Sequence, residues 1–285
     1  MVCPGRRPAP GAHIHPPPVS EYDDSRPVHA RSCTDGSSWA VVYVELAGTR
    51  LLVASPLGRI IESRLRDEDP LGLVVVAADE QQVREAVARN LRFDVVLADL
   101  MWNDTAVEDT FDGLDVLDLL VDLNRLAPVV FAAQGHRAEL DHLAEARARD
   151  GVSGVIPKAA GYDAVLASVL KVAEGGDLPN PPGTIKQPTL FEYFSSGRRG
   201  LTTARLAGAI ASRRASNNET LVTVTGLSRN TTTKIAELYV GPLMRARGER
   251  DRDGSLTVQS VYRWCGVHAP YIMSWCRRNG QADVL

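Results

Sequence analysis

Between residues 49 and 172, short apolar runs alternate with stretches whose apolar residues recur every three or four positions. The runs lie at 49–55, 73–78, 94–99, 128–133 and 154–158. Each is followed by helical spacing, as in Leu57, Ile60, Ile61 and Leu65 after the first, or Val165, Leu166, Val169 and Val172 after the last. Strand-then-helix units in series predict parallel strands with crossover helices, because parallel neighbours need a long connection. We therefore expect a doubly wound α/β domain with a five-stranded parallel sheet over 39–175, the segment 39–46 adding an edge strand or hairpin. The first 38 residues, rich in Pro, Ser, Arg and Gly, carry too little apolar area to offset ordering entropy and are expected to be disordered. A Gly- and Pro-rich stretch at 176–188 reads as a linker.

Past the linker, over 189–285, only helical periodicity remains, which predicts a smaller all-α domain. Residues 189–194 and 201–210 read as two helices. A short helix from Asn218 to Thr225, a Gly226-Leu227-Ser228 turn and a helix over 229–239 then resemble a helix-turn-helix. Such a second helix presents its first turn to base edges, so Ser228, Arg229, Asn230, Thr231, Thr233 and Lys234 are the expected DNA contacts, with Ile235 and Leu238 facing the core. A second copy follows: a helix over 256–265, a turn at Gly266, and a helix over 269–278. Here Tyr271, Arg277 and Arg278 are candidate contacts, while Trp264, Ile272 and Trp275 belong to the core. Arg245, Arg247, Arg250 and Arg252 between the copies suit phosphate contact.

Charge sharpens this division. The 285-residue chain has a formal charge of −3. Residues 186–285 hold 15 Lys plus Arg against 7 Asp plus Glu, a net of +8, which leaves −11 for the rest. A basic module joined to an acidic one fits polyanion binding by the former. No apolar run reaches the roughly 20 residues that span a bilayer, and no secretory leader opens the chain, so a cytoplasmic protein without a membrane partner is expected. Four cysteines, Cys3, Cys33, Cys265 and Cys276, are too scattered for a disulfide framework. Cys265, His268 and Cys276 lack a fourth ligand at finger spacing, and His13 and His15 sit at no metal spacing, so neither metal nor cofactor is expected.

Three stretches carry a closer likeness: Phe93 to Leu100, Asp112 to Leu117, and Gly151 to Lys158. Together they resemble the receiver domain of two-component response regulators over about 49–175. Only four of the 32 basic residues are lysine, which reads as GC-rich coding of actinobacterial type. The resemblance implies that Asp99, ending the third strand, is equivalent to the phosphate acceptor and Lys158 to its partner. It also implies an acidic, Mg²⁺-holding pair at the end of the first strand, where this chain has Ala54 and Ser55, and a hydroxyl on strand four, where it has Ala133. The aromatic switch position holds Val155, and an insertion over 102–111 lengthens the loop after Asp99. Its acids Asp104, Glu108 and Asp109 read as a solvated loop in preference to a restored cation site.

The sequence thus points to a DNA-binding transcription regulator of response-regulator type with a degenerate receiver, and to no catalysis. Its partners are double-stranded DNA, a second copy of itself, and a small-molecule ligand or partner protein at the receiver. Two alternatives stay open: activation by phosphorylation of Asp99, and a protein-binding adaptor that touches no DNA.

Overall fold

The computed structural model describes residues 48–68, 71–90, 92–102, 111–179, 188–249 and 256–285. The expected tail and edge strand, the loop acids Asp104, Glu108 and Asp109, most of the linker, Cys3, Cys33, and Arg250 and Arg252 lie outside these residues.

Five strands, β1 (Thr49–Ala54), β2 (Leu71–Ala77), β3 (Val95–Asp99), β4 (Val129–Ala133) and β5 (Val152–Pro157), form one sheet. Its order is β2-β1-β3-β4-β5, and every pairing is parallel. The five-stranded doubly wound expectation is met. Helices cover both faces: α1 (Arg59–Arg66), α2 (Glu80–Arg89), α3 (Gly113–Asp122), α4 (Leu140–Ala148) and α5 (Tyr162–Ala173). Alternation along the central strands feeds two cores. Leu52, Ala54, Val96 and Ala98 pack with Val83, Leu114 and Leu117 on one face, and Leu51, Val53, Val95 and Leu97 pack with Leu65 and Val169 on the other. Strands covered on both sides must be apolar at every position, which is why they read as unbroken runs.

The helical half holds α6 (Leu190–Phe194), α7 (Arg198–Ala211), α8 (Asn218–Thr225), α9 (Arg229–Thr233), α10 (Val240–Ala246), α11 (Val258–Val267) and α12 (Ala269–Arg278). Its separate core includes Leu206, Ile210, Leu221, Ile235, Leu243, Trp264, Ile272 and Trp275.

Three sequence expectations fail here. The helix expected over 229–239 is not continuous: α9 ends after Thr233, and Ile235–Tyr239 forms a π turn before α10. The wide turn carries the Ala236 carbonyl so close to Gly241 that a Cβ there would lie 1.7 Å from it, so glycine permits the distortion. Arg199 of α7 donates to the Leu238 carbonyl, whose partner four residues on is Pro242 and has no N–H to offer. The added residue shifts the phase of the helix. Ile235 stays buried as expected, whereas Leu238, expected in the core, is 38% exposed. In the second copy, Gly266 continues α11 and makes no turn; the break comes at His268, and Pro270 sits in the first turn of α12, where its missing N–H is harmless.

Candidate functional site

Asp99 ends β3 and is buried beneath the carboxyl edge of the sheet. Its Oδ2 accepts the Ser55 hydroxyl at 2.6 Å and the Lys158 ammonium at 2.8 Å. Ser55 is itself fixed, since its Oγ accepts the Leu57 N–H at 3.1 Å. Burial raises the Asp99 pKa above the ordinary carboxylate value, and Lys158 and Ser55 only partly oppose this. Glu139, whose negative charge adds to the rise, is held by the N–H groups of Gln134, Gly135 and His136 at 3.0, 2.7 and 3.0 Å. A Mg²⁺ ion demands octahedral hard oxygens. Here Ala54 brings a methyl group, and the Ser55 hydroxyl already points its proton at Asp99, so the residues present do not fit that ion. Among the described residues no three His, Cys, Asp or Glu side chains gather as a metal site.

The larger polar construction lies elsewhere, along a seam between the sheet half and the helical half. Among the described residues no apolar cluster spans it. Arg278 of α12 meets Glu145 of α4 in a fork, Nη1 to Oε1 at 2.7 Å and Nη2 to Oε2 at 2.8 Å, with the two side chains 3% and 0% exposed. Tyr271 donates its hydroxyl to the same carboxylate at 2.8 Å. Arg277 pairs with Asp115 and, at 3.3 Å, with Asp112. Asp112 also caps α3 in a reciprocal box with Asp115. Farther along, Asp141 takes Arg247 at 2.9 Å and His268 at 2.7 Å, and Glu249 closes the cluster on Arg247, on His268 and on the Trp264 ring N–H.

The electrostatics follow from this packing. Burial alone would raise Asp112 and Glu145. For Asp112, His142 and then Arg278 and Arg277 reverse the effect; for Glu145, Arg278 and Tyr271 do, so both carboxyls fall below the ordinary range. Asp115, pressed by burial and by the Asp112 charge, moves upward. His142 lies edge-on to Tyr271, with ring centroids 5.2 Å apart.

Four sequence-chosen DNA contacts are thereby relocated. Arg247, Tyr271, Arg277 and Arg278 are held inward against carboxylates, and Tyr271 is 1% exposed. Charge pairing inside the chain outcompetes solvent for them. The acids that capture them were missed, although a signal existed: Asp112, Asp115 and Asp118 recur every three residues, and Asp141 and Glu145 are four apart, each set a stripe on one helix face.

The first copy is different. Gly226 closes α8 in the left-handed conformation at φ 66°, and Ser228 caps α9 by accepting the Thr231 N–H at 3.2 Å. Arg229, Asn230 and Thr233 are exposed, and Thr231 and Lys234 are half-buried. Thr231 bonds its hydroxyl to Ser228, while Thr233 donates back to the Arg229 carbonyl at 3.0 Å. Arg245 is exposed beside the Glu237 carbonyl. Neither Arg229 nor Lys234 has an ion-pair partner among the described residues.

No family model matches the chain, and no curated protein matches it. Solved structures similar to it include a Francisella response regulator receiver domain, 20% identical over 45% of this chain and 98% of that one, with a TM-score of 0.35. A response regulator receiver protein from Sinorhizobium medicae is 18% identical over 46% and 98%, with a TM-score of 0.35. RcsB from Salmonella enterica serovar Typhimurium, bound to a promoter, is 13% identical over 76% and 98%, at 0.39. The fold is receiver-like. Its strand order, β2-β1-β3-β4-β5, and the helices wound on both faces are those of a doubly wound sheet of flavodoxin-like type. No helix among the described residues is long and apolar enough to cross a membrane.

Replacing Arg278 with Met leaves the buried Glu145 carboxylate only Arg149 and Tyr271, and should destabilise the chain by about 3 kcal/mol in urea unfolding, the low end for breaking a buried pair. The double variant Arg278→Met/Glu145→Leu should cost clearly less than the sum of the two single variants; strict additivity would show that the fork is uncoupled.

The seam should also respond to pH through His268. Burial would lower this imidazole, but hydrogen bonds to Asp141 and Glu249 prevail and raise it. A raised folded value means that the stabilisation is complete below the ordinary imidazole pKa and is lost as pH rises through the raised one. Thermal stability between about pH 6 and pH 9 should therefore fall more steeply for the wild type than for His268→Gln, and parallel profiles would contradict this assignment.

Proposed function

We propose that this chain is a DNA-binding transcription regulator of response-regulator type whose sheet half does not take a phosphoryl group by the usual Mg²⁺-assisted route. The observation that carries the first part is the segregation of its basic side chains. Arg277 and Arg278 of the second helical copy are neutralised by carboxylates of the sheet half, whereas Arg229 and Lys234, beside Asn230 on the capped first copy, have no ion-pair partner among the described residues. Unpaired cations next to a hydrogen-bonding amide on one exposed turn suit a duplex, with Arg229 and Asn230 placed for base edges and Lys234 and Arg245 for phosphate. Ser228, Thr231 and Thr233 support the turn, their hydroxyls being engaged within it.

The helix is five residues long, so its macrodipole contributes little and side chains must supply the affinity. One such turn is a weak reader. Pairing of two copies would raise effective concentration and give a two-fold symmetric site. The Ser55–Asp99–Lys158 arrangement supports the second part, because phosphoryl transfer builds negative charge that must be neutralised. At Asp99 one ammonium is already committed, and the Glu139 carboxylate, whose charge reaches Asp99, is taken up by three backbone N–H groups.

Duplexes selected from a random pool by the full chain should show a shared sequence. Against the selected duplex, Arg229→Ala should cost about 1–3 kcal/mol, and Lys234→Ala should flatten the log-affinity against log-salt slope by about one unit. Unchanged affinity for both variants would remove this turn from the interface, and salt-independent capture of proteins alone would favour the adaptor reading.

Incubation with acetyl phosphate and Mg²⁺ should leave the intact mass of the wild type unchanged. An added phosphoryl group that is absent from Asp99→Asn would restore the phosphorylation alternative.

A further inference from the structure

On the α1–α5 side of the sheet, directly over Asp99, lies a cavity of about 260 Å³. Its walls are Val53, Leu57, Ile60, Ile61, Leu97 and Val165, and its polar floor is the Ser55–Asp99–Lys158 cluster. The rim is apolar and open to solvent, with Leu57 54% and Ile60 74% exposed. The two helices that frame it are tied together. Arg64 of α1 stacks 3.7 Å over the Tyr162 ring of α5 and pairs with Asp163 at 3.1 Å, and Tyr162 donates to Glu68 at 3.1 Å. The two walls are thus tied to each other, through Tyr162 at the edge of the lining.

From this geometry we infer that the cavity is a binding site for a small, uncharged, mostly apolar molecule carrying one hydrogen-bond acceptor, such as a ketone, which Lys158 receives. The chemistry of the floor selects this class. Asp99 and Lys158 neutralise each other, so a ligand carboxylate would meet the Asp99 charge and a ligand ammonium would meet Lys158, each desolvated without a free counterion. Lys158 has three N–H bonds, of which Asp99 takes one; among the described residues no other partner claims the rest. A carbonyl oxygen can accept there without disturbing the pair. The apolar walls take the remainder of the molecule, and the volume limits it to a compact, single-ring size.

This goes beyond the DNA reading and does not depend on it, since the test contains no DNA. The full chain is titrated with acetophenone, ethylbenzene, benzoate and benzylammonium, with saturation-transfer NMR as the readout and circular dichroism as a check on folding. Acetophenone should bind with a Kd on the order of 1 mM or tighter, as its atom count allows. Ethylbenzene, which lacks the acceptor, should bind roughly tenfold more weakly, and the two ions should give no signal. Val165→Trp, which fills the cavity, should abolish acetophenone binding while the fold persists. Benzoate or benzylammonium binding as well as acetophenone, equal affinity for ethylbenzene, a folded Val165→Trp chain that still binds, or no acetophenone signal up to its solubility would each overturn the proposal. The ligand series on the wild type decides the matter even if the variant does not fold.

Discussion

The fork between Arg278 and Glu145 fixes what the rest of the molecule can present. Two charges with almost no solvent exposure face each other across a seam that no apolar cluster among the described residues bridges. Taking such a pair out of water is costly, and only near-ideal geometry with every lone pair satisfied offsets the cost. The additional donors on Glu145, Tyr271 and Arg149, meet that requirement. Once the fork forms, Arg277 falls beside Asp112 and Asp115, and the start of α3 becomes part of the contact. The net positive charge of the helical half is thereby consumed unevenly. The second copy of the helix-turn-helix pattern becomes a clamp, while Arg229 and Lys234 of the first have no ion-pair partner among the described residues.

A similar substitution of one role for another occurs at Asp99. A carboxylate at a strand end in a doubly wound sheet lies where ligands meet such folds. With Ala54 and Ser55 before it, however, its oxygen is engaged by a hydroxyl and an ammonium. The site changes from one that recruits a cation into one that is internally neutral, and an apolar cavity lies above it.

Much of the sheet half was legible because its signals are local. Runs such as Val95-Val96-Leu97-Ala98 are apolar at every position only when both faces are covered. The helical half was less legible. Helical spacing found α7 and the core residues Trp264, Ile272 and Trp275, but the π turn at Ile235–Tyr239 depends on a contact between Gly241 and a carbonyl five residues back, which periodicity does not encode. The fate of Tyr271, Arg277 and Arg278 was misread for a different reason. An arginine has the same local appearance whether it faces phosphate or carboxylate, and the acids that claim it lie more than 120 positions away. The opposite charges of the two halves did register, as a sign of an external partner, when much of the complementarity is internal.

The ion pairs that fasten the seam have a thermal consequence. Heat capacity changes when hydrocarbon is exposed to water, and parting two faces joined by ion pairs exposes little of it. Separation of the halves would thus carry a small heat-capacity step, whereas melting of either core would carry a large one. Because the cost of drying ions shrinks as water warms, the joint should hold relatively better in heat than the cores it connects.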